Sequence, residues 1–279
     1  MDEIPAAVEA VLGGTIDRLT PIPGGSICRV YHLERGGRSW CLKTRTGAPA
    51  DFFLAERDGI DALGAGGEVR VPEVVDCGAS HILLEWLPPA GHGPDDAEQL
   101  GRQLAGLHSR AVAGFGFARN NYCGLTPQDN TRHTDGHVFF ARCRLGVQGR
   151  LAHDAGLLPP RDRRRLERLA DNLRRWIPIQ PPSLIHGDLW SGNIHFSAHG
   201  PALIDPAAHH GWGEADLAMT RLFGAMAPPF YAAYNEVRPL EPGFDERAPL
   251  YNLYHLLNHL NLFGGGWLPR VHAVLDRYA

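Results

Sequence analysis

The chain has 279 residues, enough for one large domain or for two lobes around a shared cleft. Hydrophobic residues at 44% and charged residues at 21% are those of an ordinary soluble globular protein, and a formal net charge of -4 argues against a general nucleic-acid binder, whose footprint would be basic. Residues 1–14 are acidic without the long apolar core of a signal peptide, and no apolar run approaches the roughly 18 residues needed to cross a bilayer, so neither nucleic acid nor membrane is an expected partner and the expected location is cytoplasmic.

In chain order, the first ~90 residues carry mostly strand patterns. Residues 29–33 and 40–44 alternate in polarity, and Gly36-Gly37 between them is a hairpin signal. Asp51, after Pro49, is placed to cap a helix with Phe53, Ile60 and Leu63 on one face. Two more strands are expected at 69–75 and 81–87, and Pro88-Pro89-Ala90-Gly91 breaks the pattern as a linker. Helical signals dominate thereafter. Asp95 or Asp96 precedes Leu100, Leu104 and Leu107 at helical spacing, Leu166, Leu169, Leu173 and Trp176 mark a second helix, and 250–262 a third. The expected fold is α+β and bilobal, with a β-rich nucleotide-binding lobe over 1–87 and a helical catalytic and substrate-binding lobe over 88–279. The basic stretch 161–168 is interrupted by Asp162 and Glu167, so a solvated helix face is expected there.

The stretch Leu184-Ile185-His186-Gly187-Asp188-Leu189-Trp190-Ser191-Gly192-Asn193 carries the chemistry. Asn193 follows Asp188 by five residues, and a second apolar run, Ala202-Leu203-Ile204, delivers Asp205. One carboxylate to accept a hydroxyl proton, followed by an amide and a second carboxylate to hold magnesium through oxygen, is the set that phosphoryl transfer needs. Protein kinases space their catalytic loop in this way. Asp188 is therefore the expected base, and Asn193 and Asp205 the expected metal ligands. His186 is expected to bond backbone or Asp205, not to move protons. Lys43, in Trp-Cys-Leu-Lys, is expected on a strand reaching nucleotide phosphates with Glu56 as its partner. Gly24, Gly25 and Ser26 could lay backbone N–H groups over those phosphates, and Glu85, Trp86 and Leu87 would meet adenine. The expected cofactors are ATP and Mg2+.

Five cysteines, Cys28, Cys41, Cys77, Cys123 and Cys143, are scattered and never form a Cys-x-x-Cys pair, which reads neither as a zinc site nor as a disulfide framework. Cys28 beside the glycine loop could be a redox handle only if a nearby charge lowered its pKa, and none adjoins it in sequence. His255 and His259 lie one turn apart on a Leu-rich helix with no third ligand at a supporting spacing, so they read as core or substrate-pocket side chains.

On these residues the chain resembles the fructosamine kinase (ketosamine-3-kinase) family, relatives of aminoglycoside and choline kinases. His186-Gly187-Asp188-Leu189-Trp190-Ser191-Gly192-Asn193 matches the loop of that family throughout, and Ile204-Asp205-Pro206-Ala207 its metal-binding segment. Glu214-Ala215-Asp216-Leu217, Leu222-Phe223-Gly224, Tyr122-Cys123-Gly124 and Leu250-Tyr251-Asn252-Leu253-Tyr254-His255 also match. The resemblance implies a protein-kinase-like fold and ATP-dependent phosphorylation of the 3-hydroxyl of a ketosamine, borne on a small amine or a glycated protein, in deglycation. By their closeness to Asp188 and Asp205, Trp190 is expected to stack on substrate and Glu214 and Asp216 to shape or anchor its pocket, with His259 a further substrate contact. Two departures concern substrate choice and thiol control: Asp135-Gly136-His137-Val138 lacks a tryptophan expected before Phe139-Phe140, and Ser26 stands where some relatives carry cysteine. The alternatives are a kinase of the same fold acting on an aminoglycoside or amino alcohol, and a nucleotide-binding pseudokinase.

Overall fold

The computed structural model describes residues 6–23 and 27–279, so Gly24, Gly25 and Ser26 lie outside the described residues. Helix α1 (Ala6–Leu12) precedes a five-stranded antiparallel sheet built from β1 (Arg18–Ile22), β2 (Arg29–Arg35), β3 (Arg38–Thr44), β4 (Val74–Cys77) and β5 (His81–Glu85), ordered β1-β2-β3-β5-β4. Helix α2 (Phe52–Gly64) connects β3 to β4. The Gly36-Gly37 signal becomes a two-residue turn between paired Arg35 and Arg38, and its glycines take φ of 55° and 74°, the left-handed values such a turn needs at both positions.

Three local expectations are corrected. The strand expected at 69–75 starts only at Val74, beyond Pro72, which has no N–H for a ladder; Arg70 instead bridges Ala202 far along the chain. Asp51 precedes α2 but makes no cap bond; its carboxylate accepts the Tyr122 hydroxyl at 2.7 Å. Neither Asp95 nor Asp96 stands before α3 (Pro94–Ser109). Gly93 does, and Asp96 Oδ2 reaches back to accept the Gly93 N–H at 2.8 Å. Strand β1 was not expected at all, because Pro21 masks it; proline is tolerated there because β1 lies at the sheet edge.

Strand alternation sets the two faces of the sheet. Leu33, Trp40, Leu42 and Leu83 pack with Val8 of α1 on one side. Ile82 and Leu84 pack with Phe52, Phe53 and Ile60 of α2 on the other. Lys43 pairs with Ile82 across the ladder and so falls on the α2 face.

The helical part continues with hairpin β6 (Asn121–Cys123) and β7 (Thr126–Gln128), α4 (Gly136–Phe139), a π-helical turn Phe140–Gly146, α5 (Val147–Asp154) and α6 (Pro160–Asp171). Arg163 pairs with Glu167 and Arg165 with Asp276, which makes the basic stretch the solvated helix face expected of it. After α6 come β8 (Ser183–Ile185), β9 (Ile194–Ser197), β10 (Gly200–Leu203), β11 (His209–Gly211), α7 (Gly213–Met219), α8 (Pro228–Val237), α9 (Phe244–Phe263) and α10 (Leu268–Tyr278). Helix α9, longer than the expected 250–262, is buried along most of its length and forms the middle of the large core. No helix among the described residues is long and apolar enough to cross a membrane.

The linker is not free. The Ala90 N–H donates to the Phe196 carbonyl at 2.9 Å, the Ala198 N–H to Pro88 at 3.2 Å, and His195 Nε2 to the Leu87 carbonyl at 2.9 Å. From the sheet side, the Arg70 carbonyl accepts the Leu203 N–H at 2.9 Å. The β9–β10 hairpin is thus bonded to both halves.

Gly187, just after β8, takes φ 80°, and a Cβ there would lie 2.3 Å from the Ala207 carbonyl oxygen. Gly187→Ala is expected to cost about 2 kcal/mol of stability from the left-handed backbone alone, and to depress turnover further by displacing the neighbouring Asp188. Urea unfolding and steady-state kinetics of the variant check both effects.

Candidate active site

Asp188, Asn193 and Asp205 are brought together by one hairpin. Register pairs Ile194 with Leu203, so the chain ends meet at the mouth of β9–β10, where the Ile204 N–H donates to the Asn193 carbonyl at 3.1 Å and Asp205 follows directly. Asp205 has φ 56°, the only left-handed non-glycine backbone among the described residues, a conformation that costs free energy and clusters at functional sites. Its carboxylate accepts Lys43 Nζ at 2.8 Å, while Glu56 Oε1 accepts the same ammonium at 2.5 Å. Burial alone would push Lys43 down, but the Asp205 and Glu56 carboxylates outweigh it and hold the ammonium above its ordinary range. The expected Lys43–Glu56 pair is therefore present, with Asp205 as a third member.

Asn193 Nδ2 donates to the Asp188 backbone carbonyl at 2.9 Å and lies 3.4 Å from its Oδ2. That turns the amide oxygen away from Asp188, the atom a hard cation would take. With the Asp205 carboxylate it makes an all-oxygen donor set on one cavity wall, which fits magnesium. Asp188 keeps 23% of its side chain exposed, and its pKa is pushed up to about 7, first by burial and then by Asp205 and Asp216.

Beneath the loop, His186 Nε2 donates to the Ile204 carbonyl at 2.9 Å and Nδ1 accepts the Asp188 N–H at 3.3 Å. Burial lowers its pKa, so the ring is neutral and serves as a spacer between two backbone segments, as expected. Gln128 Nε2 and Asn121 Nδ2 donate to the carbonyls of Ala207 and Ala208 at 3.1 and 2.9 Å, fixing the chain that follows Asp205.

A cavity of about 700 Å³ lies between the sheet and this loop. Lys43, Glu56, Asp188, Trp190, Asn193 and Asp205 line it, as do Glu85, Trp86 and Leu87. The Glu85 N–H is already taken by the Glu73 carbonyl at 2.8 Å, its side chain by Arg70 at 2.6 Å, and Trp86 stacks on His32 with centroids 4.0 Å apart. Cys28 also lines the cavity, but burial pushes its thiol up to about 11, so it lacks the low pKa a redox handle needs.

The expected substrate contacts divide. Trp190 is 38% exposed at the cavity rim, edge-on to Phe223 at 6.1 Å. His259 packs behind it against Phe223 and Trp267, its Nδ1 donating to the His255 carbonyl at 2.8 Å, and it does not line the cavity. Glu214 is buried in a two-point pair with Arg247, with the Tyr251 hydroxyl donating to it at 2.8 Å. Asp216, 1% exposed, accepts the His186 and Gly187 N–H groups at 2.7 and 2.9 Å and His108 Nε2 at 3.3 Å. Neither acid reaches the large cavity. Their contacts run elsewhere: Asp216 holds amides of the loop, and Glu214 joins α7 to α9 through Arg247 and Tyr251. Closeness in sequence to the loop could not separate facing the substrate from facing the loop's underside. His255, read as a core or substrate-pocket side chain, is buried with Nδ1 3.7 Å from Asp188 Oδ1. No local spacing carries that signal, because α9 reaches Asp188 only through tertiary packing.

The family profile for fructosamine kinase matches residues 2–279. The chain belongs to the fructosamine kinase family. A probable ketoamine kinase of Synechocystis is 38% identical over 92% of this chain and 88% of its own. The chloroplastic protein-ribulosamine 3-kinase of Arabidopsis thaliana is 34% identical over 94% of this chain and 83% of its own. The crystal structure of a candidate fructosamine-3-kinase from Thermobifida fusca superposes with TM-score 0.92 at 33% identity, covering 100% of this chain and 99% of that one. At 16% identity and TM-score 0.65, an aminoglycoside phosphotransferase structure shares the fold, over 96% of this chain and 98% of its own. This fructosamine kinase family member is thus a phosphotransferase with a protein-kinase-like fold, a β-sheet N-terminal region and a helical C-terminal one.

Two predictions follow from the buried carboxyls. Burial would raise Asp216, but the hydrogen bond and charge of His108 and the loop amides bring it below the ordinary carboxylate range. Its contribution is therefore present above that range and lost as pH falls through the lowered value. Asp216→Ala, which strands three donors, is expected to cost about 3 kcal/mol near neutral pH and less in acid, measured by denaturant unfolding across pH. Asp188 has the opposite sign. Its raised pKa costs nothing at about pH 3 and increasingly destabilises the nucleotide-free protein as pH rises to about 7. Asp188→Asn is expected to be more stable than wild type by about 2 kcal/mol at about pH 8, a value discounted for its partial exposure, with no difference in acid. Thermal melting at the two pH values reads this.

Proposed function

We propose that the enzyme transfers the γ-phosphoryl group of ATP to the 3-hydroxyl of a ketosamine, the fructose or ribulose adduct of a small amine or a protein lysine, as a step in deglycation. The observation that carries this reading is the one cavity that Lys43, Glu56, Asp188, Asn193 and Asp205 line together. The new bond forms between the sugar oxygen and the γ-phosphorus as the bridging bond to ADP breaks, and the hydroxyl proton passes to Asp188. A base with a pKa raised to about 7 is matched to that task at neutral pH. Trapped between Glu56 and Asp205, Lys43 stays charged and has a fixed direction, so it meets the α- and β-phosphates without reorganisation. Asn193 and Asp205 would hold Mg2+ through oxygen. That ion, when bound, neutralises phosphate charge.

Glu85, Trp86 and Leu87 form the adenine wall, while Gly24, Gly25 and Ser26, outside the described residues, are assigned to the phosphates by sequence alone. The lobes divide at 87/88. At the opposite rim Trp190 offers its exposed ring face to the sugar or its amine substituent, supported by Phe223 and His259. The relationship to a protein-ribulosamine 3-kinase supports the acceptor position.

Radiolabelled ATP with a panel of ketosamines, aminoglycosides and amino alcohols tests this reading. Ketosamine turnover is expected, with Asp188→Asn lowering kcat by about 10³-fold while still binding nucleotide. Turnover of an aminoglycoside without any ketosamine turnover would reject the acceptor assignment. Absence of turnover on every acceptor would reject the kinase reading itself.

A further inference from the structure

Around the base, the fold assembles a donor set of which the proposed phosphoryl transfer uses only Asp188. Cys123 Sγ on β6, an Asp188 carboxylate oxygen and a His255 ring nitrogen on α9 lie within 4.8 Å of one another. His255 is 5% exposed and its Nδ1 is buried with no hydrogen-bond partner, directed at Asp188 from 3.7 Å. A buried ring nitrogen without a partner is a costly arrangement unless something visits it. Cys123 is 2% exposed, and its sulfur meets Asn258 Nδ2 at 3.3 Å and the Tyr254 hydroxyl, both neutral and displaceable partners. Asp188 opens this cluster to the large cavity.

We propose that these three side chains form an inhibitory site for a borderline-soft transition-metal ion, with zinc as its probe. Sulfur, imidazole nitrogen and carboxylate oxygen from three separate elements are the donor set of such an ion, and its fourth position would face the cavity. Tetrahedral zinc, with bonds of roughly 2.0–2.3 Å to nitrogen, oxygen and sulfur, holds such donors roughly 3.3–3.6 Å apart. The His255–Asp188 pair is nearly there, and contraction of the cluster by about 1 Å seats the thiol. Burial, with His259 adding to it, keeps the His255 ring neutral, so its nitrogen lone pair is available. Binding forms a sulfur–metal bond and releases the thiol proton to water; no oxidation is involved. Magnesium, which takes oxygen ligands, remains with Asn193 and Asp205. The bound ion takes the carboxylate that would accept the substrate proton, so phosphoryl transfer stops with nucleotide still seated.

The test has two arms, and the inhibition arm rests on the kinase reading while the binding arm does not. Cobalt(II) added to nucleotide-free protein is expected to give a thiolate-to-cobalt charge-transfer band that Cys123→Ser abolishes, with Cys28, Cys41, Cys77 and Cys143 still present. In the ketosamine assay with magnesium in large excess, zinc is expected to inhibit wild type reversibly, a chelator restoring the rate. Cys123→Ser keeps the basal rate and tolerates at least about tenfold more zinc, as loss of one ligand from a site of this kind implies. Should the serine variant fail to fold, Cys123→Ala gives the same comparison. Equal zinc sensitivity in wild type and variant, relieved by more magnesium, would assign the inhibition to Asn193 and Asp205 and overturn the proposal. Absence of the cobalt band in wild type would overturn it whether or not the protein turns over ketosamine.

Discussion

One ammonium group holds the catalytic arrangement together. Lys43 belongs to the sheet, Glu56 to α2 and Asp205 to the segment after the β9–β10 hairpin, and the two carboxylates, Glu56 largely buried and Asp205 open to the cavity, meet on the buried ammonium. A buried lysine is stable only when paired, and two carboxylates around one cation would repel each other without it. Each member therefore requires the other two. The left-handed backbone at Asp205 is a cost the fold bears at the place where that carboxylate must face both the lysine and the cavity.

A second constraint acts from below. Asp216 and His186 never reach the cavity, yet they fix the backbone on either side of Asp188: one accepts two consecutive amides, the other spans from the Asp188 N–H to the Ile204 carbonyl. His108, held by Tyr234 at 2.9 Å, closes the far side of Asp216. A loop held this way presents Asp188, the proposed base, with little freedom to rearrange, and that preorganisation is what a reaction governed by positioning needs.

Much of this was legible from residue order because phosphoryl transfer demands fixed spacings along a short chain segment. The Asp188–Asn193 interval and the return to Asp205 are local, set by one tight loop and one hairpin. The Lys43–Glu56 pair is nearly as local, since a strand and the next helix share a face. What could not be read there depends on long-range packing. Whether Glu214 and Asp216 look toward substrate or toward the loop's underside is decided by how α7 rests on β8 and α9. The Leu-rich register of α9 hid His255, because its neighbour Asp188 is 67 positions earlier in the chain. Helix starts were blurred for a different reason: Asp51 and Asp96 are acids near helix beginnings, but Tyr122 and the Gly93 amide claim their side chains.

The bonds that sew the β9–β10 hairpin to residues on both sides of it have a mechanical meaning. The hairpin carries the segment ending in Asn193 at one end and leads to Asp205 at the other, while Arg70, Leu87, Pro88 and Ala90 grip its flanks. Prising the halves apart as a jaw would break that seam all at once. The hairpin therefore acts as a rivet between the two halves, and what shifts one end of it is carried to the other.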